Sequence, residues 1–286
     1  MPEARRQFGA RLRSAMDRRG QLCVGVDPHP GLLADWGLND DAAGLERFSL
    51  TVLEAVAGHA AALKPQVALF ERHGSAGLAV LERLLAACAD AGMLSIADAK
   101  RGDIGSTMAA YADAWLRDGS VLAADAVTLS PYLGFESLRP ALDLAAGSGR
   151  GVFVLALTSN PEGASVQHAG NAHGERSVAA RVVDAAAAEN ARTPDGLGPV
   201  GLVVGATVGA GVLDGLDIDL AASRAPLLAP GLGAQGATAA DLRKTFGAAY
   251  PNVLATSSRG ILQAGPDPRL LQAAAVRAGA ELAAKP

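Results

Sequence analysis

The sequence predicts an α/β fold, a closed (β/α)8 TIM barrel with an N-terminal helical extension. Three observations predict it. Short apolar, β-branched runs alternate about eight times with longer Ala/Leu-rich segments. The runs are continuous rather than alternating in polarity, the mark of strands buried on both faces beneath helices. The chain has 286 residues with no break in composition, and a single barrel of this kind takes about 250 residues.

The elements follow in order. Residues 1–20 are expected to form the helical extension, and residues 1–286 a single domain. Strands are expected at Leu22–Val26, Leu63–Leu69, Met93–Ala97, Ala126–Leu129, Val152–Leu157, Leu202–Ala206, Pro226–Ala229 and Val253–Thr256. Apolar residues at three- and four-residue spacing predict helices over Leu45–Ala61, Gly77–Ala91, Ser106–Arg117, Ser177–Asn190 and Thr238–Ala249. Pro65 conflicts with the second strand, because proline is poorly tolerated in a central strand. Either that strand starts after Pro65 or it bulges there. The polar stretch from Asn160 reads as a loop, and residues 160–176 as either a lid or a passive insertion. An open doubly wound sheet is the fold alternative. The first strand is not followed by a dinucleotide fingerprint, since Gly25-Val-Asp-Pro-His-Pro-Gly31 has the wrong spacing.

Composition removes several function classes. Half the residues are hydrophobic and 19% are charged, which suits a packed enzyme and argues against disorder. A net charge of -4 gives no electrostatic reason to bind nucleic acid or an anionic membrane. No long apolar stretch lacks charge, and Met1–Gly20 has no apolar core of a secretory signal. Cys23 and Cys88 sit far apart in apolar runs and read as buried thiols, so a cytoplasmic location is expected. His29, His59, His73, His168 and His173 lack metal-ligand spacing. Trp36 and Trp115 read as packing residues.

Chemistry in a barrel sits at the carboxyl ends of its strands. Reading those ends in order gives Asp27, Lys64, Asp98 with Lys100, Ser159, Gln235 and Arg259. Asp98 and Lys100 are two apart, which on an extended backbone places both on one face. Asp103 follows Gly102 in the next loop, and Thr107 begins a helix. A salt-bridge network without chemistry is the alternative, but buried ion pairs are costly to desolvate. Pro230-Gly-Leu-Gly-Ala-Gln-Gly236 follows the seventh strand and Ser258-Arg-Gly260 the eighth. These are the usual phosphate-binding loops of the architecture, and Arg259 can grip phosphate oxygens.

At these residues the sequence resembles the orotidine 5'-phosphate decarboxylase family, in its longer bacterial (type 2) form. The resemblance rests on Gly25-Val-Asp-Pro28, Lys64-Pro-Gln66, Asp98-Ala-Lys-Arg-Gly-Asp-Ile-Gly-Ser-Thr107 and Pro131-Tyr-Leu-Gly134. It continues through Thr158-Ser-Asn-Pro161, Gly205-Ala-Thr207 and the two phosphate loops. The Asp98–Thr107 string is the most specific of these. Ser258 stands where glycine is usual, and the segment after Asn160 looks longer than in the short form.

The resemblance implies decarboxylation of orotidine 5'-monophosphate to uridine 5'-monophosphate, with no cofactor and no metal. Lys100 would protonate C6 of the pyrimidine, Asp98 would lie near the substrate carboxylate, and Lys64 would bridge the array and reach the ribose. Asp103 and Thr107 would come from the second subunit of a homodimer with shared active sites. Asp27 would bind a ribose hydroxyl and Ser159 the pyrimidine edge. Gln235 and Arg259 would hold the phosphate. A magnesium-dependent sugar-phosphate decarboxylase or synthase of the same superfamily shares the Asp-x-Lys-x-x-Asp core and is the runner-up. A Schiff-base aldolase using Lys100 or Lys64 is disfavoured, because carboxylate neighbours keep a lysine protonated. A nucleotide-binding protein without catalysis is the non-enzymatic alternative.

Overall fold

A computed structural model describes residues 6–170, 174–194, 196–233 and 236–284. Eight strands pair in parallel and close into a barrel in the order β1 to β8. They are β1 Leu22–Val26, β2 Ala62–Pro65, β3 Leu94–Arg101, β4 Ala126–Leu129, β5 Gly151–Leu157, β6 Val200–Val204, β7 Leu227–Pro230 and β8 Val253–Ser257. Most strand residues are buried, in keeping with helices outside and side chains inside.

The helices of the outer layer include α3 Ala42–Val56, α5 Gly74–Asp90, α6 Gly105–Leu116, α7 Arg139–Ser148, α9 Val178–Asn190, α11 Ala239–Phe246 and α13 Pro268–Ala283. Their starts are chemically marked. Asp41 caps α3, Ser177 caps α9, and Thr238 forms a capping box with Asp241 on α11. Short helices α2 Pro30–Asp35, α4 Ala68–Glu71, α8 Ala164–Gln167, α10 Ala210–Gly215 and α12 Arg259–Leu262 follow strands or open loops.

Helix α1, Phe8–Arg19, closes the amino-terminal end of the barrel. Its Phe8 and Leu12 are fully buried in a cluster with Cys23, Ile96, Phe153, Leu228 and Leu254, which come from five strands. Phe8 meets Phe153 edge-on, with ring centroids 5.8 Å apart. Arg11 ties the helix to Asp125 at 2.5 Å, and Arg13 reaches the carbonyl of Pro251 at 2.8 Å.

Three strands differ from expectation by two residues or more, and one of them, β6 at Val200–Val204, starts and ends two residues earlier than expected. β2 runs from Ala62 to Pro65, not to Leu69. Pro65 ends the strand rather than interrupting it, because it has no N–H to offer the ladder and the chain then turns into α4. β3 runs on to Arg101, four residues past the expected end. A register shift against β4 accommodates the extra length. Of the expected lid span 160–176, residues 171–173 lie outside the described residues; its described part holds a 3-10 turn at Pro161–Gly163 and then α8.

Candidate active site

At the carboxyl ends of the strands lies a cavity of about 660 Å³. Asp27, Lys64, Asp98, Lys100, Ser159 and Arg259 all line it. A volume of this size suits a nucleotide-sized ligand.

Asp98 is the hub. It projects from β3 and is 8% exposed. Its Oδ2 accepts from Lys64 Nζ at 2.8 Å and from Gln66 Nε2 at 3.2 Å. Its Oδ1 accepts from Lys100 Nζ at 2.6 Å and from Thr128 Oγ1 at 3.0 Å. Each carboxylate oxygen therefore carries two donors, which fills the acceptor capacity of the group. The carboxylate is immobilised before any ligand arrives.

The electrostatics follow from this geometry. Burial alone would raise the Asp98 carboxyl pKa, but the charges and hydrogen bonds of Lys64 and Lys100 outweigh it and hold it well below the usual range. Burial would likewise depress Lys64, which is 4% exposed, yet Asp98 and Asp27 push its ammonium above the ordinary lysine value. Both groups stay charged near neutrality. Cys23, beneath the array on β1, has its thiol pushed up to about 12 by burial. It takes no part as a nucleophile.

Lys100 holds an unusual backbone, with φ at +47°. That left-handed conformation costs a non-glycine residue about 1–2 kcal/mol. Its side chain is 46% exposed and extends into the cavity beside Asp98. Gly102, two residues on, must lack a side chain, since a Cβ there would stand 2.4 Å from the carbonyl oxygen of Ser130. Arg101 faces away from the cavity. It pairs with Glu71 and lies over the rings of Tyr111 and Trp115, each 5.7 Å from the guanidinium carbon. It thus anchors the outside of β3 to α4 and α6.

The remaining residues sort by position. Asp27 directly follows β1, and its buried Oδ1 has no hydrogen-bond partner among the described residues. An inward carboxylate of this kind is poised for a hydroxyl donor. Ser159 follows β5 and Arg259 opens α12, both exposed at the cavity. Gly231 and Leu232 of the loop after β7 complete that wall. Gln235 lies outside the described residues. Ser258 fits because position 25 is glycine: a Cβ on Gly25 would stand 1.9 Å from Ser258 Oγ.

Asp103 and Thr107 are not brought into this cavity. Asp103 Oδ1 accepts from the Ile104 amide at 2.8 Å, and Thr107 is exposed in the first turn of α6. Gln66 and Thr128, conversely, were not among the expected site residues and touch its central carboxylate. Gln66 stands within the Lys64-Pro-Gln66 motif. Thr128 carried no signal, because threonine is common in strands. Among the described residues, no group of three or more His, Cys, Asp or Glu side chains is placed to hold a metal ion.

Fold and site together define a (β/α)8-barrel enzyme with a lysine–carboxylate–lysine array at the carboxyl ends of its strands. The sequence profile of the orotidine 5'-phosphate decarboxylase / HUMPS family matches residues 20–274, and the chain belongs to that family. Orotidine 5'-phosphate decarboxylase of Streptomyces coelicolor is 59% identical over 275 residues, covering 96% of each chain. That of Salinispora arenicola is 59% identical over 270 residues, covering 94% of this chain and 95% of its own. The Leishmania donovani OMP decarboxylase structure is 33% identical with a TM-score of 0.76, covering 97% of this chain and 98% of its own.

Proposed function

We propose that this chain decarboxylates orotidine 5'-monophosphate to uridine 5'-monophosphate, the chemistry its relatives are named for, without a cofactor. The observation that carries the reading is the ammonium of Lys100, held 2.6 Å from a buried carboxylate at the mouth of the cavity. When the bond from C6 to the carboxylate breaks, the electron pair remains on C6 in the ring plane, where the π-system cannot spread it. Carbon dioxide leaves, Lys100 Nζ gives its proton to C6, and solvent restores that proton.

A charge pair about 4 Å apart interacts by about 4 kcal/mol at an effective dielectric of about 20. That amounts to about three decades in rate. The rest is assigned to preorganisation: the Asp98 hub fixes the ammonium before substrate binds. Asp98 beside the substrate carboxylate adds ground-state repulsion.

The other assignments complete the site. Lys64 holds Asp98 and reaches the ribose, whose hydroxyl meets Asp27. Ser159 contacts the pyrimidine edge. Arg259 and Gln235 hold the phosphate, and residues 160–176 close over it, so that remote binding energy serves the chemical step.

Asp103 and Thr107 are assigned to the neighbouring site of a homodimer. Ile104, Tyr132 and Leu133, at 62%, 79% and 53% exposure, supply apolar surface suited to such an interface. Two free, buried cysteines accord with the cytoplasm. Among the described residues, no helix is long and apolar enough to cross a membrane.

The test is the ultraviolet absorbance change of orotidine 5'-monophosphate with EDTA present. Turnover is expected, and Lys100→Ala should abolish it; full activity in that variant, or a requirement for magnesium, refutes the reading. Mixing inactive Lys100→Ala and Asp103→Ala chains should restore activity through mixed dimers. No recovery after subunit exchange would place Asp103 in its own chain's site.

A further inference from the structure

Ala97 of β3 pairs with Val127 of β4, and Arg101 pairs with Leu129. Between those pairs β3 carries Asp98, Ala99 and Lys100, whereas β4 carries Thr128 alone. The surplus must leave the regular ladder, and it does so at Lys100, with its positive φ. Such a conformation persists only where the surroundings over-determine it.

The Thr128 hydroxyl is placed to do that. The Lys100 amide donates to Thr128 Oγ1 at 2.9 Å. Thr128 Oγ1 donates to Asp98 Oδ1 at 3.0 Å. The same Oδ1 accepts from Lys100 Nζ at 2.6 Å. The proton directions are unambiguous, because an amide N–H only donates and a carboxylate only accepts. Backbone and ammonium of one lysine are thus both referred to one hydroxyl. Thr128 is 1% exposed, so water does not compete for these bonds. It does not line the cavity and has no route to a ligand except through its two neighbours.

We propose that Thr128 is a positioning residue of the reaction, fixing where the Lys100 ammonium stands relative to the substrate. The inference rests on the decarboxylase reading. Valine matches threonine in shape and would satisfy a purely packing role. Thr128→Val removes both hydrogen bonds, so single-turnover decarboxylation should slow by about ten- to a hundredfold, the worth of a hydrogen bond to a charged group. KM should move by less than about threefold, because the substrate's own contacts remain. Thr128→Ser, which keeps the hydroxyl, should recover to within about threefold of wild type on the same reasoning.

A second comparison covers the case in which the valine variant does not fold. Serine and cysteine differ little in size, but a thiol is a poor hydrogen-bond partner, so Thr128→Cys should be about tenfold slower than Thr128→Ser. A valine variant within about twofold of wild type, or equal rates for the serine and cysteine variants, overturns the inference. Absence of wild-type turnover would instead overturn the decarboxylase reading beneath it.

Discussion

Replacing Asp98 by asparagine keeps shape and removes one charge, so its effect can be worked from the geometry. Lys64 Nζ loses an anion at 2.8 Å while remaining 4% exposed. Removing one partner of a buried pair costs about 3–5 kcal/mol. The lower end applies, because asparagine still offers an acceptor and Asp27 still acts on Lys64 through space. The Lys100 pair adds little, its side chain being 46% exposed and screened by solvent. A loss of about 3 kcal/mol corresponds to about 6–12 °C in Tm for a chain of this size.

The sign of the pH dependence is diagnostic. In wild type the folded-state pKa of Lys64 is raised, so its contribution is complete below the unfolded value of about 10.4 and is lost as pH rises through the folded value. In Asp98→Asn, burial without the carboxylate should depress that pKa. The unfolded state then binds more protons, and stability rises with pH. Far-UV circular dichroism melts from pH 6 to 9 should therefore show the gap between the two proteins narrowing. A Tm within about 2 °C of wild type at neutral pH, or a constant gap, would refute the account of the buried pair.

Other expectations follow from separate parts of the molecule. Arg259→Ala should weaken nucleotide binding about ten- to a hundredfold by losing a charged hydrogen bond, with Tm unchanged because Arg259 is exposed at the cavity; isothermal titration with uridine monophosphate and a melt check both. Leu12→Ala should cost about 2–5 kcal/mol in urea denaturation yet leave kcat intact, since its cavity opens at the far end of the barrel. The depressed carboxyl of Asp98 contributes stability above its unfolded value of about 3.9 and loses it as pH falls through the folded value, so acid melts of Asp98→Asn should be flatter than wild type below pH 4. Cys23 and Cys88 should resist a thiol reagent until unfolding, because both are fully buried and both thiols are pushed up to about 12.

Much of the fold was legible because parallel strands buried on both faces read as unbroken apolar runs. The ends of those runs were less legible. Pro65 sat inside an apolar stretch whose later buried residues, Val67 and Phe70, belong to the start and body of a short helix rather than to a strand. Hydrophobicity reports burial and does not distinguish the two. Helices α7 and α13 were passed over although Pro140 and Pro268 stand in their first turns and Gly149 closes α7 in the left-handed conformation. In the site, charge made Lys64, Asp98 and Lys100 visible. Period-two spacing suggested a common face for Asp98 and Lys100, and their side chains do meet, but across a positive-φ backbone rather than a regular pleat. Register shifts depend on the facing strand, which is why Thr128 stayed hidden.

The helix that closes the barrel floor also sets when the floor can close. Arg13 and Pro251, which it joins, are 238 positions apart. An isolated helix of 12 residues is marginal in water, so α1 has little reason to persist until strands from the far end of the chain give its apolar face somewhere to go. The contacts that seal the barrel are thus among its longest-range ones, and long-range contacts form slowly. Trimming the chain into α1 would remove no mere ornament. It would leave the inner ends of five strands open to water.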